Sequence, residues 1–552
     1  MALKETSVSG KNTHGELRKN SRNLMISTFI CRFLGFFREI LTADIIGGGL
    51  MMSAWVLAST IANMARRILG EGAVGMALVP LLSATLKQKG KEAAREEFSA
   101  VCIFLTLLLS GLCIGATLLI LILQHVVTSQ VWLLAFRLLP IVMPYMIFIC
   151  LVGIFSSYCN CFRSYFLPSL TAILQNLLLI AALYLLCSRV RGFGQLNILA
   201  WTVLLSGILE FAFMVFLLKY MGLLPVFKRN IVRNDAVVKR LFAKASYGIL
   251  GMSALQVSML CDRVIASWIS DYAPAALYNS DRLIYLPVGI FAVAFGTVSL
   301  TEMSHMTAEG RYRDMMGTLM LSLRDLLFIT VPLVAFMMLF STPLIRMFFY
   351  RGAFDQTALE TTEIAFWFYC LGIPAFACLK IFTAGFYASQ DMKTPLLVSI
   401  GCILLNLILN LLLMSPLEQG GIALATVIAS YTNNGILLVM LLKRFGEDCE
   451  LKGLTGFLLR LLPVSWGAGG AAFLIYRFFA AKWFVFLDPY MEKMIEGSIL
   501  WKIAGFLVQA FPLGIAALLF GIAFLFLGTL CRIPETERFS GKIRRIIKCN
   551  RL

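Results

Sequence analysis

The chain has 552 residues, of which 59% are hydrophobic and 14% charged, with a mean hydropathy of +0.84. A soluble domain of this size needs far more charge to cover its surface, and apolar runs of the about 20 residues that cross a bilayer recur from end to end, so soluble classes are excluded. The net charge of +18, from 48 Lys and Arg against 30 Asp and Glu, comes without zinc-finger spacing, an RNA-binding signature or an extended basic arm, and so argues for membrane orientation rather than nucleic acid.

Some twenty polar residues precede the first apolar run, and that run holds Arg32, Arg38 and Glu39. It reads as a retained first span, not a cleavable signal peptide. Apolar stretches between polar or Pro/Gly breaks predict fourteen helices, near 22–46, 50–85, 98–123, 131–157, 166–187, 195–220, 238–268, 275–304, 317–340, 360–387, 395–414, 420–443, 455–480 and 503–530. The first, second, seventh and eighth are the most polar. Basic residues collect in alternate loops: Arg18, Lys19 and Arg22; Lys87 to Arg95; Arg163; Lys228 to Arg240; Arg311 and Arg313; Lys393; Lys443 and Arg444; and the tail from Arg538 to Arg551. The opposite loops hold few, chiefly Arg189, Arg191, Arg346, Arg351 and those of the 477–502 loop. The positive-inside rule then places both termini in the cytoplasm, and one helix more or fewer would scramble the alternation.

A weak internal repeat runs through the chain. Gly75–Ser83 ends the second span and Gly296–Ser304 the eighth, each followed by a charged stretch, and the aromatic-polar loop before Pro168 resembles Phe386–Lys393 before Pro395. Each correspondence lies six helices apart, so the two halves share one membrane orientation, and the last two helices fall outside the duplication. Most of the 14 cysteines, such as Cys102, Cys113, Cys150, Cys187 and Cys402, lie in apolar runs and act as small hydrophobes. Cys159 and Cys161 lack a second pair at zinc-ligand spacing.

No enzyme signature is present: His14, His125 and His305 are scattered, and there is no HExxH motif, Walker A loop or nucleotide-binding module. The ionisable residues inside spans carry the functional signal. Arg32, Arg38 and Glu39 lie in the first helix, Arg66, Arg67 and Glu71 in the second, and Asp281 and Arg282 in the eighth. A central arginine costs at least about 2.5–3.5 kcal/mol on insertion. Arg32 and Arg38, roughly 600° apart around a helix, share no face unless the helix bends at Gly35. Arg67 and Glu71, four apart, can pair on the helix surface, and Arg32 is near enough to the cytoplasmic end to snorkel. Arg38, Arg66 and Arg282 fit a water-filled cavity lined with guanidinium groups, whose planar forks suit phosphate and carboxylate oxygens. The expected substrate is an anion.

Several motifs resemble the MurJ (MviN) lipid II flippases of the MOP superfamily. They are Arg32–Glu39, Ala65–Ala73 with Val79-Pro80, Ser280–Pro287 with Gly289, Tyr350–Phe354, Phe386–Pro395, and Asn160, Phe162, Pro168 and Asn176 around the fifth span. The similarity runs from about residue 22 to 445. It implies an all-α polytopic membrane protein of fourteen helices: a cytoplasmic tail (1–21), a lobe of helices 1–6 (22–225), a lobe of helices 7–12 (226–445), helices 13–14 forming a lipid-tail groove (446–531) and a basic cytoplasmic tail (532–552). It implies a transporter, not an enzyme, that moves undecaprenyl-pyrophosphate-linked peptidoglycan precursor from the inner to the outer leaflet of the bacterial cytoplasmic membrane by alternating access. The motif match carries the substrate-binding role to Arg32, Arg38, Arg66 and Arg282, with Glu39, Arg67, Glu71 and Asp281 as supporting ionic residues.

The resemblance implies no metal or cofactor, and leaves sodium ion or membrane potential as energy sources. The partners it implies are lipid II, membrane lipids and, as candidates, cell-wall synthesis proteins. Asn406, Asn410, Asn433 and Asn434 offer polar atoms in late helices but assemble no cation site from sequence, and helix packing is the simpler reading of them. Glu39 stands where Asp is usual and keeps the charge; Ser53 stands where Asp is common and removes one. A flippase for another polyprenyl-linked glycan, a multidrug exporter of the same superfamily and a non-transporting scaffold for cell-wall synthesis are the alternatives.

Overall fold

The computed structural model describes residues 13–70, 72–162, 164, 166–226, 235–445, 451–492 and 499–537. Every regular element among them is helical. That follows from the composition, because in hydrocarbon a backbone must satisfy its polar groups within its own segment.

The chain divides into two compact units, Met1–Leu260 and Cys261–Leu552. The first contains α1 (Thr13–Ile46), α2 (Leu50–Ala65), a π-helical turn (Arg66–Gly70), α3 (Ala73–Leu123), α4 (Gln130–Val142), α5 (Tyr145–Cys161), α6 (Phe166–Leu185), α7 (Phe193–Tyr220) and the greater part of α8 (Asp235–Ile269). Within it α1 packs on α6, α2 on α4, α3 on α5, and α7 against α5 and α6. The second unit holds the end of α8, then α9 (Ala273–Ala308), α10 (Tyr312–Leu339), α11 (Ser341–Phe348), α12 (Gln356–Leu371), α13 (Ile373–Ala388), α14 (Lys393–Phe445), α15 (Leu451–Glu492) and α16 (Ile499–Leu530). There α9 packs on α12 and α13, α10 on α13 and α15, and α15 on α16.

Two local features occur in both units. The chain turns at Gly90 (φ 85°) inside α3 and at Gly310 (φ 75°) between α9 and α10, left-handed positions where glycine has no Cβ to clash. Then comes a broken span in each: α4 and α5 bend by 52° at Pro144, and α12 and α13 by 42° at Gly372, just before Pro374.

Nine of the described helices are long and apolar enough to cross a membrane, or eleven if each bent pair is one span. Fourteen crossings follow only if α3 and α14, too long for single crossings, are divided at Gly90 and Glu418, and if α1, with its Arg32, Arg38 and Glu39, is counted too. The division into units falls within α8, between Leu260 and Cys261. The first turns of α8 are built into the first unit: Val237, Leu241 and Ala245 are buried, Arg240 pairs with the buried Glu97 at 3.7 Å, and the Phe104 and Phe242 rings meet edge to face at 5.4 Å.

After α16 the chain turns back into the second unit. Ile533 joins Val331, Phe457, Leu461, Val464 and Phe524 in one apolar cluster, and Glu535 Oε1 accepts an ion pair from Arg324 Nη2 at 2.8 Å. The Arg324 guanidinium also lies over the Phe457 ring, 5.1 Å from its centroid. The basic tail beyond residue 537 lies outside the described residues. Glu535 is 7% exposed and Arg324 28%, so removing the Glu535 charge leaves a partly desolvated guanidinium without its counter-ion. Glu535→Gln is expected to lower stability by about 2–3 kcal/mol, read as a fall in thermal midpoint in detergent, and Arg324→Met with Glu535→Leu to recover most of that loss. An unchanged midpoint in Glu535→Gln would show that the pair contributes nothing.

Candidate substrate-binding site

In the first unit the six-residue spacing acts as geometry requires. Arg32 is exposed, whereas Arg38 is half-buried on another face of α1. Arg38 Nη1 donates to Asn176 Oδ1 of α6 at 3.0 Å, and Nη2 to Glu39 Oε1 in an ion pair. Asn176 is itself fixed, its Nδ2 donating to Ala172 O at 2.9 Å. The guanidinium is therefore held by one amide and one neighbouring carboxylate. Ser53 is fully buried in α2.

Arg66 and Arg67 open the π-helical turn that ends α2. A π turn inserts extra backbone into the helical winding and re-aims successive side chains, which is why such turns gather at functional positions. Arg67 Nη1 donates to Gln256 Oε1 of α8 at 3.3 Å. The backbone is tightly wedged just beyond: a Cβ at Gly72 would lie 2.2 Å from the Arg67 carbonyl oxygen and 2.5 Å from Met252 Sδ, so only glycine fits. The pairing of Arg67 with Glu71 involves a residue outside those described.

In the second unit the adjacent Asp281 and Arg282, about 100° apart around α9, take different partners near one tyrosine. Arg282 Nη2 donates to the Tyr278 hydroxyl at 2.8 Å, and its guanidinium carbon lies 4.5 Å from that ring's centroid. Asp281 Oδ2 faces Arg263 Nη2 of α8 at 3.9 Å, and the Arg263 guanidinium lies 5.3 Å from the same Tyr278 ring. One tyrosine thus contacts two arginines, the second of which sequence reasoning missed. Its signal was the same as at Asp281 and Arg282: adjacent opposite charges, Asp262 and Arg263, within an apolar run.

Asp262, 8% exposed, turns the other way. Its Oδ1 accepts from Asn410 Nδ2 at 2.6 Å and its Oδ2 from Thr426 Oγ1 at 3.4 Å. The Asn406 amide, oriented to satisfy both its ends, donates to Asp262 Oδ1 at 3.0 Å and accepts from Thr426 N at 3.2 Å. Two of the four late asparagines thus meet a carboxylate from α8, a convergence no local spacing reveals. Asn433 and Asn434 donate elsewhere, to Ser399 Oγ at 3.2 Å and Ala375 O at 2.8 Å, and serve packing. Among the described residues no three His, Cys, Asp or Glu side chains converge on a metal position.

The sequence profile of the family described as "Lipid II flippase MurJ" matches residues 42–491. The chain is 28% identical over 516 residues to a probable lipid II flippase MurJ of Buchnera aphidicola, covering 91% of this chain and 95% of that one. It is likewise 28% identical over 425 residues to the lipid II flippase MurJ of Burkholderia cenocepacia, covering 76% and 82%. Among solved structures, a lipid II flippase MurJ in an inward closed conformation superposes with a TM-score of 0.65 at 23% identity, over 90% of this chain and 97% of that one. An inward-facing multidrug resistance MATE transporter of the MOP superfamily superposes with a TM-score of 0.62 at 13% identity, over 76% and 98%.

Proposed function

The chain belongs to the lipid II flippase MurJ family, and from that premise we propose that it is a transporter that carries lipid II from the inner to the outer leaflet of the bacterial cytoplasmic membrane for peptidoglycan synthesis. The observation that carries the reading is the fixing of arginines inside apolar helices. Arg282 is braced on a tyrosine ring and hydroxyl, and Arg38 on an amide. Guanidinium groups held in place in a low-dielectric setting are suited to a pyrophosphate, whose oxygens match their planar forks. Arg32, Arg38, Arg66 and Arg282 are the headgroup contacts, with the prenyl tail remaining in lipid beside α15 and α16. The headgroup crosses by alternating access, and both termini lie in the cytoplasm, as the loop charge requires.

Sodium dependence belongs to the same proposal. Asp262, Asn406, Asn410 and Thr426 suit a small hard cation: they bring one carboxylate, two amides and a hydroxyl from three helical segments. Asn410 Oδ1 is buried without a hydrogen-bond partner, an acceptor that a cation would satisfy. The single carboxylate favours a monovalent ion over calcium or zinc, which take more anionic ligands.

In cells depleted of their own flippase, this chain is expected to restore lipid II at the outer surface, where an added enzyme or probe can reach it. Exposure no greater than in cells with an empty vector would overturn the assignment. Exposure of a different lipid-linked glycan would redirect it.

A further inference from the structure

Arg263 is one of the most deeply buried charges in the second unit, with its side chain 9% exposed, and the headgroup contacts above do not use it. It reaches two groups that flank Arg282 on α9: the carboxylate of Asp281, one residue before it, and the ring of Tyr278, one helical turn before it. A carboxylate next to an anion-binding arginine is a liability. It competes with the incoming phosphate for the guanidinium and repels the phosphate directly, and both effects grow as water is excluded. A cation held against that carboxylate from another helix removes the liability. Tyr278 meanwhile presents its hydroxyl and one region of its ring to Arg282, neutral contacts that orient the guanidinium while leaving its charge.

We propose that Arg263 is a positioning residue for the anion contact at Arg282: it neutralises Asp281 and braces Tyr278 from α8, so that Arg282 meets a pyrophosphate group without a competing carboxylate. The inference rests on the reading of Arg282 as a headgroup contact. It adds to that reading a charge pair whose balance sets the affinity for the anion. The two carboxylates of the neighbourhood then have separate duties, since Asp262 engages Asn410 and Thr426 and leaves Asp281 to Arg263.

The test is binding of inorganic pyrophosphate to the purified full-length protein, with thermal midpoint measured on each variant. Arg263→Met is expected to weaken binding about tenfold, a difference of about 1.4 kcal/mol. Adding Asp281→Asn to it should restore affinity to within about threefold of wild type, because the carboxylate that needed neutralising is gone. Asp281→Asn alone should tighten binding, since it frees the Arg263 charge, and Arg263→Lys should stay within about threefold of wild type. In lipid II transport, Arg263→Met should raise the apparent KM and leave the maximal rate close to wild type. A purely structural role predicts instead a loss that Asp281→Asn does not repair and no tightening in the single variant; either result overturns the proposal. If Arg263→Met does not fold, the Asp281→Asn single variant still decides. Wild-type protein that binds no pyrophosphate would overturn the reading of Arg282 and this inference with it, whereas wild-type binding that is unchanged in Arg263→Met would overturn this inference alone.

Discussion

Replacing Arg282 by Ala is expected to abolish lipid II export and the growth of cells that depend on this protein, with its amount in the membrane unchanged. The guanidinium is held on Tyr278 by a 2.8 Å hydrogen bond and by contact with the ring, so its position is set before any substrate arrives. Truncating one partner of a desolvated charge pair costs about 2–5 kcal/mol, enough to lower headgroup affinity by about thirtyfold to several thousandfold. Arg282→Lys is expected to fail almost as badly, because an ammonium keeps the charge but neither stacks on the ring nor offers two parallel donors to a phosphate. Arg38→Ala and Arg66→Ala should behave alike. Arg32→Ala should be milder, since Arg32 is exposed whereas Arg38 is half-buried. Outward exposure of lipid II, complementation and membrane abundance measured together separate lost transport from lost protein. Normal growth with Arg38, Arg66 and Arg282 all replaced by Ala would show that the intramembrane arginines do not carry the substrate.

These arginines were legible in the sequence because the bilayer makes them expensive, so each stands out against its apolar run. The helical class was legible for the same reason, and so was the different exposure of Arg32 and Arg38, which helical spacing puts on different faces. What escaped was whatever depends on partners distant in the chain. Asp262 and Asn410 are 148 positions apart, and Arg38 and Asn176 are 138 apart. Nothing in Asn406 and Asn410 themselves distinguishes two packing amides from two that face a carboxylate. The π turn at Arg66 was hidden because it alters the winding on which any periodic reading relies. The fourteen predicted spans are divided at the polar stretches around Gly90 and Glu418, and there the structure has helices that abut at a single non-helical residue, with φ of 85° and 50°, inside α3 and α14.

Asp262→Asn is expected to erase any sodium dependence of transport while sparing the fold. The substitution keeps the size of the side chain and its place among Asn406, Asn410 and Thr426; it removes the charge and exchanges one accepting oxygen for an amide NH2 that can face the Thr426 hydroxyl oxygen. With the carboxylate, two amides can turn their oxygens inward and complete a shell of oxygen ligands with the hydroxyl; without it, the shell has no net charge to offset the dehydration of the ion. Two measurements bear on this, one of them independent of transport. Wild-type protein in detergent should gain thermal stability as sodium replaces a bulky organic cation, by about 2.7 kcal/mol at a hundredfold excess over the dissociation constant, and Asp262→Asn should gain none. In cells or vesicles, the ratio of lipid II export with and without sodium should fall to unity in the variant. If Asp262→Asn keeps the full sodium-induced stabilisation, the cluster is helix packing of the ordinary intramembrane kind, and the export must draw on the membrane potential or on another site. If the wild type shows no stabilisation, the buried carboxylate acts through its hydrogen bonds to Asn410 and Thr426, and Asp262→Asn should then cost stability in either salt.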